Sequence, residues 1–208
     1  MSTDLITGSF VALITPMNED GTIDFEGFRT LIQFHAENGT SAILFMGSTG
    51  EVSMLSPDER HAIVRETMKM RTGGMHFYYG CTGTTTEGTI GYVKQAAAEG
   101  ADGAIIAAPA YICASNADIV QFCLDVADQS TIPLGFYNNP PRVGTDLKTE
   151  DLLRIAEPPR FTVLKESTTR VGQVAQVCAA KPDMSLMCCC SPNLGLVVPM
   201  MALGGHGT

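Results

Sequence analysis

Seven short apolar runs recur along the chain without a two-residue alternation: Phe10 to Ile14, Ala42 to Met46, His76 to Tyr79, Gly103 to Ala107, Pro133 to Tyr137, Phe161 to Lys165 and Ser185 to Cys188. Unbroken hydrophobicity of this length marks strands buried on both faces, and such strands belong to parallel sheets. Between the runs the period changes. Phe25, Phe28 and Ile32, and again Ile90, Val93 and Ala97, fall at i, i+3, i+7, the spacing of one helical face. Strand and helix alternate throughout.

Punctuation agrees with this alternation. Ser56, Pro57 and Glu59 form an N-cap, a first-turn proline and a capping-box carboxylate ahead of Ile63, Val64 and Met68. Gly39 and Gly100 stop the first and third helices, Ser115 or Asn116 caps the fourth, and Thr149 caps the fifth. A seventh helix runs over about Leu194 to Leu203.

Seven strand-then-helix units of about 25 to 35 residues, with no linker or shift of composition between them, predict a single (β/α)8 TIM barrel over residues 1–208 rather than a doubly wound sheet. The eighth strand only begins, at Gly204 to Thr208. On this reading the barrel is truncated at the start of its eighth strand. It then has unpaired edges at its first and seventh strands, and is either a fragment or covered there by something else.

Composition narrows the function. Thirteen basic against 22 acidic residues give a formal charge of −9, which argues against a general nucleic-acid or anionic-membrane surface. No run approaches the ~20 apolar residues of a membrane span, and no basic residue precedes Arg29, so neither a membrane segment nor a signal or transit peptide is expected. Seven cysteines, three of them the run Cys188, Cys189, Cys190, form no CxxC pair, and His35, His61, His76 and His206 are scattered. The expectation is buried free thiols in a soluble cytoplasmic protein, with no metal.

In a barrel of this kind, chemistry sits where strands run into their following loops. Three such ends carry reactive or anion-binding groups: Gly47, Ser48, Thr49, Gly50 and Glu51; Tyr137 through Arg142; and Lys165, Glu166 and Ser167. Lys165 closes an apolar run, where desolvation favours the neutral amine that attacks carbonyls; position alone better fits a lysine snorkelling or paired with Glu166. Tyr137 closes a strand as a proton carrier or as packing with a wetted tip. The Gly47 loop offers backbone N–H groups and two hydroxyls to a carboxylate, and Arg142 offers a fork to a second one.

Together these residues resemble the dihydrodipicolinate synthase and N-acetylneuraminate lyase family of pyruvate-dependent class I aldolases. The matching pieces are Gly8 to Met17, Gly47 to Glu51, Pro109 to Tyr111, Tyr137 to Pro140 with Arg142, Lys165 with Glu166, and Gly204 with Gly205. The resemblance covers essentially the whole chain.

It implies a lyase or synthase that joins pyruvate or another 2-oxo acid to an aldehyde through a Schiff base, with no metal or organic cofactor. Lys165 matches the lysine that forms the Schiff base, Tyr137 the proton-relaying tyrosine, and Ser48 the hydroxyl linking it to a second tyrosine. Gly47 and Thr49 match the cradle for the pyruvate carboxylate. Tyr111 matches the tyrosine that enters the neighbouring subunit's site, which implies a homo-oligomer, a dimer or tetramer. Arg142 matches the arginine that holds an acidic aldehyde in the synthase branch. Ser48, Asn139, Pro141 and the loop Cys189, Cys190, Ser191, Pro192 depart from that branch, so a related aldolase or dehydratase, of the N-acetylneuraminate lyase kind, and an inactive truncated homologue stand as alternatives.

Overall fold

A computed structural model describes residues 5–180, 182–189 and 195–208. The apolar runs form seven strands: β1 (Phe10–Ala12), β2 (Ala42–Phe45), β3 (His76–Gly80), β4 (Gly103–Ala107), β5 (Leu134–Asn138), β6 (Phe161–Glu166) and β7 (Ser185–Cys188). They pair in sequence order, all parallel, as one sheet. The helices are α1 (Phe25–Glu37), α2 (Pro57–Met68), α3 (Thr86–Ala98), α4 (Asn116–Gln129), α5 (Pro140–Val143), α6 (Thr149–Ile155), α7 (Val171–Ala180) and α8 (Val197–Ala202). The architecture is the expected (β/α) barrel.

The missing alternation has a simple cause: both faces of each strand are apolar, but they face different cores. Ala42, Leu44, Tyr78, Ile105, Val163 and Met187 fill the barrel interior together with Phe10 and Tyr137. Their strand neighbours Ile43, Phe45, Phe77, Tyr79, Ile106, Phe136 and Leu164 pack beneath the helices. The interior is filled by side chains rather than being a pore. Gly103 is glycine because a Cβ there would enter the ring of Tyr78.

The caps follow their chemistry. Ser56 and Glu59 make both halves of the capping box, and Ser115 rather than Asn116 caps α4. Thr149 is the first helical residue of α6, not its cap. The cap is Lys148, whose backbone N–H is held by the Asp151 carboxylate at 3.2 Å. α8 is shorter than the sequence pattern suggests, and Ser191 to Leu194 lie outside the described residues.

The expected open edges are stitched together. Gly207 forms parallel bridges both to Gly8, beside β1, and to Met187 in β7. Phe10 N–H donates to the Thr208 carbonyl at 2.7 Å and Gly8 N–H to the His206 carbonyl at 2.8 Å. On the other side Cys188 N–H donates to the Gly207 carbonyl at 3.0 Å and His206 N–H to the Leu186 carbonyl at 2.8 Å. The Leu186 N–H finds its acceptor in a side chain, Nδ1 of His206, at 2.9 Å. Three residues close the ring because each contributes backbone groups to one or both neighbours.

Candidate functional site

The site is built from strand register. In the β5–β6 pair, Tyr137 stands opposite Lys165, so the two side chains project to the same face. That face is the interior. Lys165 lines a small cavity with Phe10, Leu44, Ile105, Met187, Cys188 and Thr208, and its Nζ lies 4.5 Å from the centroid of the Tyr137 ring. The snorkelling alternative fails on this geometry, because the amine points into the barrel. The Glu166 alternative fails too, since Glu166 is buried and turned the other way, held by Asn138.

Burial pushes the Tyr137 phenol up to about 12, against a hydrogen bond from Ser167 and the positive charge of Arg142, which pull it down; the Cys189 thiol adds to the rise. The phenol is therefore protonated at neutral pH, as a proton donor must be. The hydroxyl that acts on the Tyr137 phenol is that of Ser167, and among the described residues of the single chain no hydrogen bond joins Ser48 to Tyr137. The Ser167 Oγ has one proton to give, and the Asn138 carbonyl lies 3.1 Å from it as an alternative acceptor. Ser167 lies past the apolar run in sequence, and only the parallel register of β5 and β6 brings it to this place.

Gly47, Ser48 and Thr49 form the turn after β2, at the same end of the barrel, with Ser48 and Thr49 exposed. The turn is held tightly. Thr15 Oγ1 donates to the Gly50 carbonyl at 2.7 Å, and Met46 and Glu51 take left-handed φ values of 53° and 55°, a conformation costing about 1–3 kcal/mol for such residues and concentrated at functional sites. Arg142 sits on α5, a single helical turn where the sequence suggested a loop. Pro140 and Pro141 occupy its first turn, where no N–H is needed, and Gly144 ends it at φ 72°.

Tyr111 is not gathered in with the others. It is 97% exposed, with a left-handed φ of 80°. Two further features shape the mouth, of which Arg60 left no motif in the sequence. Arg60 is buried, donates to the carbonyls of Gly80 and Thr82 at 3.2 Å each, and stacks on Tyr92 at 3.5 Å, pinning the loop after β3. Glu166 is buried with only neutral donors around its carboxyl.

Burial pushes the Glu166 carboxyl from its ordinary value near 4.5 up to about 7, against bonds from Asn138 and Thr168 that lower it. The folded group thus holds its proton more tightly than the unfolded one. The stability it contributes is complete below the ordinary value and is lost as pH rises through about 7. Between pH 5 and 8 the wild type is expected to lose about 2–3 kcal/mol relative to Glu166→Gln. Chemical denaturation at several pH values measures this, and parallel curves would contradict it.

Fold and site together define a (β/α) barrel with an amine and a phenol side by side at the carboxyl ends of adjacent strands. The chain belongs to the dihydrodipicolinate synthetase family, whose model matches residues 5–208. It is 33% identical over 210 residues to 4-hydroxy-tetrahydrodipicolinate synthase of Gluconacetobacter diazotrophicus, covering 100% of this chain and 69% of that protein. It superposes on the chloride-inhibited dihydrodipicolinate synthase of Acinetobacter baumannii, solved with pyruvate, with a TM-score of 0.90 at 30% identity, covering 98% of this chain and 69% of the other. A prophage protein of the same family from E. coli K12, also solved with pyruvate, matches with a TM-score of 0.90 at 28% identity and the same coverage. Among the described residues no helix is long and apolar enough to cross a membrane.

Proposed function

We propose that this chain is a Schiff-base-forming lyase or synthase that condenses pyruvate with an aldehyde, most like 4-hydroxy-tetrahydrodipicolinate synthase. The observation that carries the reading is the Lys165 amine standing 4.5 Å over the Tyr137 ring inside a barrel cavity lined mainly by apolar side chains. Pyruvate bound in two relatives supports the choice of keto acid.

The chemistry runs through Lys165. Its nitrogen bonds the ketone carbon of pyruvate, and the ketone oxygen departs as water, leaving an iminium. The positive nitrogen draws electrons from the methyl C–H bond, a proton leaves, and the resulting enamine bonds the aldehyde carbon. Tyr137 delivers a proton to the aldehyde oxygen as that bond forms. Water then attacks the iminium carbon and frees the amine.

Gly47, Thr49 and their backbone N–H groups cradle the pyruvate carboxylate. Ser48, which makes no hydrogen bond to Tyr137 among the described residues of the single chain, joins the proton relay in the oligomer together with Tyr111, which reaches the site of a second copy in a homodimer or tetramer. An aromatic held almost fully exposed on left-handed backbone supports that role, since such strain persists where a function selects it. Arg142 takes the carboxylate of the second substrate.

Borohydride reduction in the presence of labelled pyruvate is expected to add mass at Lys165; a folded protein that gains none removes this mechanism. Arg142→Ala is expected to raise KM for an acidic aldehyde about tenfold or more and to leave pyruvate trapping unchanged. An equal rise for a neutral aldehyde would instead favour the related aldolase or dehydratase reading, which Ser48, Asn139 and Pro141 also support.

A further inference from the structure

Successive residues of β5 and β6 face opposite ways. Tyr137 and Lys165 point inward as one register pair, so the next pair, Asn138 and Glu166, points outward beneath the helices. Both are almost fully buried, at 1% and 3% exposure. Asn138 Nδ2 donates to both carboxylate oxygens, at 2.9 and 3.1 Å, and the Thr168 N–H donates to Oε1 at 2.8 Å. Ser167 adds an N–H bond to the Asn138 carbonyl at 3.1 Å, and the Glu166 carbonyl accepts from Cys189 N–H at 2.8 Å. One buried carboxyl thus joins the ends of β5 and β6, and the backbone of the same residue ties in the end of β7.

Beyond these the carboxyl meets the neutral Gln173 side chain and an apolar surround that includes Leu164, Val174, Val177 and Leu186. Stability alone does not account for a polar pair here, since a well-packed apolar pair of similar volume is commonly as stable or more so. What an apolar pair lacks is direction. Hydrogen bonds of fixed length between adjacent strand ends allow little sliding or rotation of one end past the other.

We propose that the Asn138–Glu166 pair is a positioning device: it locks the ends of β5 and β6 so that Lys165 and Tyr137 stand at their working separation, acting through the backbone and touching no substrate. This rests on the reading of Lys165 as the amine that binds pyruvate. The pair lies on the opposite face of the same two strands, one residue beyond the reacting groups, so a shift of either strand end moves the amine or the phenol directly.

The test uses the whole chain and borohydride trapping of labelled pyruvate, followed as a rate at saturating pyruvate and as the half-saturating concentration. Asn138→Asp sets a second carboxyl against the first. Because a misplacement on the order of 1 Å costs up to about 100-fold, the saturated rate is expected to fall about tenfold or more, with the half-saturating concentration changed less than about threefold. The double variant N138D/E166Q reverses donor and acceptor across the same bond and is expected to recover the rate to within about threefold of wild type. Should N138D not melt cooperatively by circular dichroism, Asn138→Ala, which only removes the donor, carries the same expected loss. A wild-type rate in the single variant, or a loss the double variant does not recover, overturns the proposal alone. A wild type that forms no adduct at Lys165 overturns the functional reading first, and the positioning role with it.

Discussion

Lys165→Ala is expected to abolish the borohydride-stable pyruvate adduct and to lower turnover by about 10³-fold or more, because it removes the atom that makes the covalent bond. Lys165→Arg is expected to fare no better. A guanidinium keeps the charge but remains protonated and offers no nucleophilic nitrogen. Neither change should unfold the protein. The alanine variant gives up the lysine nitrogen over one face of Tyr137, an interaction worth about 1 kcal/mol at such a site.

Peptide mapping of the trapped protein makes the expectation specific. Among the described lysines, Lys69 is exposed and paired with Glu66, and Lys94 reaches Gln129 on the surface. Lys165 lines an interior cavity. Label on a surface lysine, or label persisting in the alanine variant, would remove Lys165 from the centre of the chemistry.

The second large effect concerns closure. Gly207→Ala is expected to destabilise the protein by about 3 kcal/mol, lowering the melting temperature by roughly 6–12 °C. A Cβ at residue 207 would collide with the Gly8 carbonyl, which is backbone and itself bound in the seam. Relief requires parting the segments that bond Gly8 to His206 and Thr208, so the mutation strikes the bonds that close the barrel. Gly91→Ala in α3 is the internal control. Open space surrounds that position, and alanine there is expected to raise stability by about 0.5–1 kcal/mol. A Gly207 variant that melts with the wild type would mean the seam contributes little to the fold.

Much of this was legible in the residues because it depends on near neighbours in the chain. Ser56 and Glu59 are three residues apart, within one helical turn, and their mutual cap formed as their spacing implied. Lys165 ends an apolar run, and a strand end at the barrel mouth follows from that alone. Other features depend on strands far apart in sequence meeting in one register. Ser167 comes beside Tyr137, and Asn138 opposite Glu166, only because β5 and β6 pair as they do. Gly207 closes the ring by bridging Met187 to Gly8, the latter nearly the whole chain length away, and a glycine near a chain end carries no mark of that task.

The order and number of strands and the barrel class were determined by the sequence itself, since hydrophobic period, caps and strand ends are local properties. The tertiary structure alone decided which way Lys165 points, which hydroxyl stands by the phenol, and whether the first and seventh strands are left open. Each of those depends on a pairing register, and register is set by how whole faces pack against one another rather than by any short stretch of residues.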